Sequence, residues 1–226
     1  IIDDGNSRLE KIPAWSEKLR TTKRYIDIFI HPGGSADMSI EINTNGKFAE
    51  HLRSFRTALT ENEKKQAITD FFSFSEFDLK SWGISLADQH DNKVSFLSEL
   101  ELANYAKIYG KDIVVKPVRT NIPGFEAPSH RSLPVQIDVP VSISDSINIH
   151  YPSSLKLAQI PQNESLETQY GKYDIEYRLN ENEVLIIRRF ILYSGNYTLE
   201  EYNNLYAYID SARKIENGNV LVFQNK

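Results

Sequence analysis

Residues 166–193, LETQYGKYDIEYRLNENEVLIIRRFILY, decide the fold. Tyr173, Ile175 and Tyr177 alternate with Asp174 and Glu176, the period-two pattern of a half-buried strand. Asn180-Glu181-Asn182 supplies a turn. Val184, Ile186, Arg188, Phe190 and Leu192 then oppose Leu185, Ile187, Arg189, Ile191 and Tyr193. Both sets are largely apolar, which predicts a central strand in 183–193 covered on both faces. Arg188 and Arg189 interrupt that run, and one of them is expected to be a buried or interface arginine that needs a carboxylate partner.

Working outward, Thr198 and Glu201 form a capping box that opens a helix predicted over 199–213. Leu199, Tyr202, Leu205, Tyr206, Ile209 and Ala212 make its apolar stripe, and Arg213 and Lys214 are placed at its end, where the helix dipole favours cations. Leu205 and Ile209 are expected to pack on the sheet that contains Val184–Leu192. After Gly218, Val220–Phe223 returns as a last strand. Upstream, Val135–Val139 and Ile143–Tyr151 read as strands, and Leu155 and Leu157 lead to Ile160-Pro161. Residues 120–134, with Pro123, Gly124, Pro128 and Pro134, read as a linker.

The first half repeats the strand pattern. Tyr25–Ile30 is strand-like and stops at His31-Pro32-Gly33-Gly34, and Met38, Ile40 and Ile42 alternate with polar residues. Asn45-Gly46 is hairpin turn chemistry, and Phe48–Phe55 is expected to follow as a third strand. Thr60 and Glu63 cap a helix over 61–72 with a stripe of Ala67, Ile68, Phe71 and Phe72. Phe77–Leu86, Val94–Tyr105 and Lys107–Val118 read as strands, with a turn at Asp88–Asn92 and Tyr109-Gly110-Lys111-Asp112 between or within the last two; the Leu and Ala of Val94–Tyr105 also allow a helix, but the bracketing turn residues favour the strand. The fold class is therefore mainly β (α+β): antiparallel sheets or β-sandwich-like modules with two short packed helices. The expected organisation is an extended or linker segment over 1–23 from a preceding domain, a β-rich domain over 24–122, and a second over 131–226. Each β-rich domain holds one helix.

Composition narrows the function. The chain has 226 residues, 40% hydrophobic and 25% charged, which fits a folded globular protein. A net charge of −5 argues against nucleic acid as a partner. No apolar run is long enough to be a membrane-spanning segment. With no cysteine there is no disulfide framework, no thiolate nucleophile and no Cys-ligated metal. The opening Ile1-Ile2-Asp3-Asp4-Gly5 lacks an initiator methionine, so a fragment or processed product is expected.

No residue set reads as a catalytic, cofactor-binding or metal site. His31, His51, His90, His130 and His150 are isolated and read as surface or edge histidines. Asp3-Asp4 reads as a solvated turn. His31-Pro32-Gly33-Gly34-Ser35 has the amides to cradle an anion but reads as a loop between strands. Glu99 with Glu101, and Asp174 with Glu176, share strand faces and read as solvated carboxylates. Nine of the twelve tyrosines follow residue 150, which raises carbohydrate binding, yet those at helical spacing are better read as packing. Asn163-Glu164-Ser165 and Asn196-Tyr197-Thr198 match the glycosylation sequon, a weak pattern in a chain rich in Asn and Ser.

The order Arg131–Val135, Asp145–Ile149, Tyr151-Pro152, Ile160-Pro161, Tyr173–Ile175, Leu185–Arg189 and Tyr202 resembles the C-terminal part of large bacterial transglutaminase-like proteins. These have a DUF3857/DUF3858-type architecture: an N-terminal domain of unknown function, a Cys-His-Asp papain-like core, and β-rich C-terminal domains. Ile12-Pro13 and Gly46–Arg53 extend the resemblance upstream. It implies an exported protein, periplasmic or extracellular and often from Bacteroidetes, whose catalytic core would precede Ile1. No catalytic residue carries over, because this chain has no cysteine. The expectation is a non-catalytic accessory region supporting an upstream core of the same polypeptide. The alternatives are a carbohydrate- or peptide-binding β module, with a protein or glycan partner, and a hydrolase with an unrecognised site. No cofactor is expected.

Overall fold

In a computed structural model of the chain, residues 21–45, 47–55, 59–74, 76–86 and 93–226 are described. Strands β1 (Thr22–Ile30) and β2 (Ala36–Thr44) form an antiparallel hairpin. Its turn needs glycine at Gly34, which has φ +87° and where a Cβ would stand 2.7 Å from the Ala106 carbonyl oxygen. Helix α1 (Lys47–Ser54) follows, and it overturns the third strand expected over Phe48–Phe55. Phe48, Leu52 and Phe55 recur at spacings of four and three, so the helical period prevails, with Ala49 and Leu52 fully buried. Helix α2 (Glu61–Phe72) starts at the predicted capping box and buries the predicted stripe.

Strands β3 (Phe77–Leu86) and β4 (Val94–Leu102) pair antiparallel. The turn expected between them at Asp88–Asn92 lies outside the described residues, as do Asp3-Asp4 and most of the segment 1–23. The strand reading over 107–118, with Tyr109–Asp112 between or within the strands, resolves into a hairpin of β5 (Lys107–Tyr109) and β6 (Asp112–Val115), turned at Gly110. The later strands are β7 (Val135–Ile137), β8 (Val141–His150), β9 (Leu155–Gln159), β10 (Glu164–Thr168), β11 (Gly171–Asn180), β12 (Glu183–Leu192), β13 (Gly195–Tyr197) and β14 (Leu221–Asn225). Helix α3 (Leu199–Gly218) begins at its predicted capping box but runs past 213. Arg213 and Lys214 therefore sit before the last turn, and Lys214 pairs with Asp210 at 2.7 Å.

Eight strands form one sheet in the order β10-β11-β12-β8-β1-β2-β4-β3, and four form a second in the order β5-β6-β14-β9. A small ribbon pairs β13 with β7. The mainly β, α+β class expected from the pattern is the class observed. The boundary expected at 120–134 does not break either sheet. β1 pairs in parallel with β8, and β6 pairs with β14, so strands from the two expected domains interleave. The prolines there stop regular structure, but the irregular stretch 116–134 forms a strap held to the sheet by contacts described below.

All three helices and the second sheet lie on one side of the large sheet. Phe71 of α2 meets Phe96 of β4, Tyr208 of α3 stacks on Phe190 of β12, and Phe223 of β14 meets Tyr151 just after β8. This corrects the reading of β12 as covered on both faces. Val184, Ile186, Arg188, Phe190 and Leu192 are buried, while of the opposite set Leu185 and Ile187 are only partly buried, Arg189 is exposed, and only Ile191, near the strand's end, is buried. Leu205 and Ile209 are buried beneath α3, as expected.

Candidate functional site: a buried charge cluster between two clefts

Cross-strand pairing sets one row of inward-facing residues across the sheet: Phe96, Ile42, Arg24, Asp145, Arg188 and Ile175. The neighbouring row, Ile40, Ile26, Ile147, Ile186 and Tyr177, carries no charge. Three adjacent strands thus place a charged residue in a slot that otherwise holds Ile or Phe. Arg24 grips Asp145 with two parallel bonds, Nε to Oδ1 at 2.7 Å and Nη2 to Oδ2 at 2.6 Å, the bidentate geometry that suits guanidinium and carboxylate. Arg188 donates to Asp145 Oδ2 from the other side, with Nε at 2.7 Å and Nη2 also in contact. Glu216 of α3 accepts from Arg188 Nη1.

The strap closes the cluster. Thr120 Oγ1 accepts from Arg24 at 3.1 Å and donates to Asp145 at 2.7 Å, and the Thr120 amide donates to Glu216 at 2.9 Å. The Val118 carbonyl accepts from Arg188 at 2.7 Å and the Arg119 carbonyl from Arg24 at 3.1 Å. Tyr173 donates its hydroxyl to Glu216 at 2.7 Å, and Tyr177 donates to Asn219 at 2.7 Å. Two cations and two anions, each at most 6% exposed, leave the group formally neutral.

Burial alone would raise the Asp145 pKa, but the attraction of Arg24 and Arg188 outweighs it and holds the carboxyl well below the usual range. Burial would lower Arg188, and Asp145 and Glu216 together reverse that. The Tyr173 phenol is pushed up by burial and by the Glu216 charge beside it.

Two clefts flank the cluster. One of about 580 Å3 lies between the end of α2, the strap and the end of α3, and Thr120 and Glu216 line it. The other, about 810 Å3, lies between α1, α2 and the starts of β1 and β8, where Arg24, Phe48, Phe72 and Val141 line it. Among the described residues, no group of three or more His, Asp or Glu is placed to hold a metal. Helices long and apolar enough to cross a membrane are also absent among them.

The residues singled out in the sequence scatter. His31 faces Asp37 at 2.9 Å on the surface, His51 packs edge-on against Phe55 and Phe71, and His150 stacks on Phe29. Glu101 pairs with Lys80, Asp174 with Lys172, and Glu176 with Arg178, all on the solvent face. Asn163 accepts from the Tyr177 amide at 2.8 Å. Tyr25 and Phe29 share the open sheet face with Asp27 between them, and Tyr109 stands on the other sheet. The exposed rings therefore form no row among the described residues.

Arg188 is the buried arginine the sequence called for; its partners Asp145 and Glu216, and the second arginine Arg24, were not identified. Their signal was present as polar residues in inward registers, Arg24 before Ile26 and Ile28, Asp145 before Ile147 and Ile149, and Glu216 four residues after Ala212.

The model of a family described as "Domain of Unknown Function with solved-structure structure (DUF3858)" matches residues 107–222, just over half of the chain. The match starts at β5 and ends inside β14. Asp145, Arg188, Glu216 and Thr120 fall inside it, and Arg24 falls outside. No curated protein matches the chain.

Proposed function

The chain belongs to the DUF3858 family, and from that premise and the geometry above we propose that it is a non-catalytic accessory region. In this reading it supports an upstream transglutaminase-like or cysteine-protease-like core of the same polypeptide, in an exported, periplasmic or extracellular protein. One observation carries the proposal: the family-matched half completes its buried charge cluster with Arg24, a residue from the segment that precedes it. The strongest chemistry in the molecule is thus consumed in joining parts of the chain. Every charged group of the cluster is spent on another buried group, and cysteine-dependent acyl transfer needs a thiol that the chain does not contain.

The test is turnover. The purified chain should neither incorporate a labelled amine nor cleave a peptide library above a buffer control. It should raise the thermal stability of a separately expressed upstream core. Turnover that disappears on replacing a single Ser or His would sink the accessory reading and locate a hydrolytic site. Fractionation of the source cell tests the export.

A second reading, a glycan- or peptide-binding module, has the apolar cleft of about 810 Å3 in its favour, a size typical of ligand sites. Saturable binding lost on Phe48→Ala is the result that would favour it.

A further inference from the structure

The 580 Å3 cleft carries a charge pattern that the fold does not use. Lys107, Lys116, Arg119 and Arg213 line it, and all four are exposed. Among the described residues, none of these four side chains makes an ion pair or hydrogen bond; other surface cations divide, Lys64, Lys80, Lys172, Arg178 and Lys214 each pairing with a carboxylate and Lys23, Lys65, Lys156 and Arg189 with none. Two carboxylates also line the cleft. Glu216 is already bonded to Arg188, and Glu76 accepts from Asn104 at 2.7 Å. In a protein of net charge −5, four cations around one concavity, against the single charge of Glu76 that no cation pairs, make a local positive potential.

The second observation is at the cleft's wall. Tyr105 lines it, and its hydroxyl is sealed from solvent without a hydrogen-bond partner, the one such buried side-chain atom among the described residues. A buried donor without an acceptor is destabilising, and native structures contain few.

The third is rigidity. Lys116 and Arg119 project from the strap whose Val118 and Arg119 carbonyls are bolted to Arg188 and Arg24. Arg213 and Asn217, four apart on α3, stand beside the anchored Glu216. The cations are therefore presented from backbone that is already ordered, which lowers the entropic cost of binding.

We propose that this cleft binds a small polyanion carrying two or more carboxylate or phosphate groups, held by Lys107, Lys116, Arg119 and Arg213. The proposal does not rest on the accessory reading; an inactive chain would bind as well.

Isothermal titration of the whole chain with pyrophosphate, and separately with citrate, tests it. Saturable one-to-one binding is expected with at least one. Binding of pyrophosphate alone would assign phosphate as the group recognised, citrate alone would assign carboxylate, and both would assign multiple charge. The double variant Lys116→Gln/Arg119→Gln should weaken binding about tenfold or more without moving the melting temperature, because both side chains are exposed and unpartnered. Lys23→Gln/Arg189→Gln, on the open face of the sheet, removes the same net charge and should leave affinity unchanged. Equal weakening by both pairs would reduce the effect to long-range charge and overturn the site, as would an absence of saturation with either anion.

Discussion

Beneath α1 and α2 the large sheet is packed by phenylalanine, and beneath α3 it is packed by tyrosine and charge. On the first side Phe48, Phe55, Phe72 and Phe96 surround Phe71 at centroid distances of 5.3 to 6.4 Å, and Trp82 meets Phe96 at 4.8 Å. On the second, Tyr173, Tyr177, Tyr202 and Tyr208 each bury a ring and donate a hydroxyl to a named acceptor. Phenyl rings supply area and loose edge-to-face preferences, so many arrangements have similar energy. A hydroxyl or guanidinium in a dry interior is satisfied in few arrangements. The family match falls on the β5–β14 stretch that contains α3, the part whose geometry is fixed by polar bonds. The close approach at Gly171 belongs to the same design. A Cβ there would stand 2.1 Å from the Ile191 carbonyl oxygen, which accepts the Tyr208 hydroxyl.

The comparison breaks most directly at Asp145. Asp145→Ala leaves Arg24 and Arg188 facing each other in a buried row with only Glu216 between them and neutrality. Removing one partner of a buried ion pair costs about 3–5 kcal/mol, and that is the expected loss in a chemical denaturation series. Phe71→Leu, in the phenylalanine cluster, should cost about 1 kcal/mol, because the apolar pocket tolerates a smaller apolar side chain. Equal losses would show that the two sides are fixed by the same means.

Apolar burial should not distinguish the two sides. Leu205 on α3 and Ile68 on α2 are both fully buried. Leu205→Ala and Ile68→Ala should each cost about 2–4 kcal/mol from lost transfer energy and a residual cavity. A loss below about 0.5 kcal/mol for Leu205→Ala would place the stripe in solvent. A markedly smaller loss for Ile68→Ala would sharpen the contrast, since it would mean that the phenylalanine side collapses into the space.

Changes of pH should act on the tyrosine side from both directions. Asp145 has a folded pKa below its unfolded value of about 3.9, so the stability it contributes is present above that value and is lost as pH falls below it. Tyr173, Tyr177 and Tyr208 have folded pKa values raised chiefly by burial. Their contribution is present below the unfolded value of about 10 and is lost as pH rises through it and beyond. Stability measured against pH should fall at both ends. Asp145→Asn should flatten the acid limb and Tyr208→Phe the alkaline limb. An acid limb unchanged in Asp145→Asn would show that other carboxylates control it.

Much of this was legible where side chains alternate or repeat. β2 and β11 followed from period two, β1 and β12 from runs of β-favouring apolar residues, and α2 and α3 from Thr-x-x-Glu boxes ahead of apolar stripes. Helix α1 was misread because its eight residues follow Asn45-Gly46, whose turn chemistry suggested another hairpin. The outer face of β12 was misread because Leu185 and Ile187 are apolar although they are only partly buried. The charge cluster was only partly legible. Arg188 stood out within an apolar run, but Arg24 and Asp145 lie 121 residues apart, and only the parallel pairing of β1 with β8 makes them neighbours. That pairing also explains why proline content suggested two domains: local sequence marks where strands stop, not which strands pair across the gap.

The two helix caps offer the smallest effect and the finest test. They are nearly identical: Thr60 Oγ1 accepts from the Glu63 amide and Thr198 Oγ1 from the Glu201 amide, each at 3.3 Å, and each glutamate bonds back to the threonine amide. Thr60→Ala and Thr198→Ala should therefore lose the same local interaction, about 1 kcal/mol. Whether that loss reaches the global unfolding midpoint depends on how tightly each helix is coupled to the sheet. Helix α3 is tied through Glu216 and Tyr208, so Thr198→Ala should lower the global midpoint by the full amount. Helix α2 is held to the sheet by apolar side chains, Ala67, Ile68, Phe71 and Phe72, and its last turn ends at Ser73 in a left-handed conformation, φ 59°. If the phenylalanine side opens separately, Thr60→Ala will speed amide exchange within 61–72 and leave the global midpoint nearly unmoved. If both variants shift the midpoint equally, the sheet and its helices unfold as one unit, and the contrast between the two sides is one of packing chemistry and not of cooperativity.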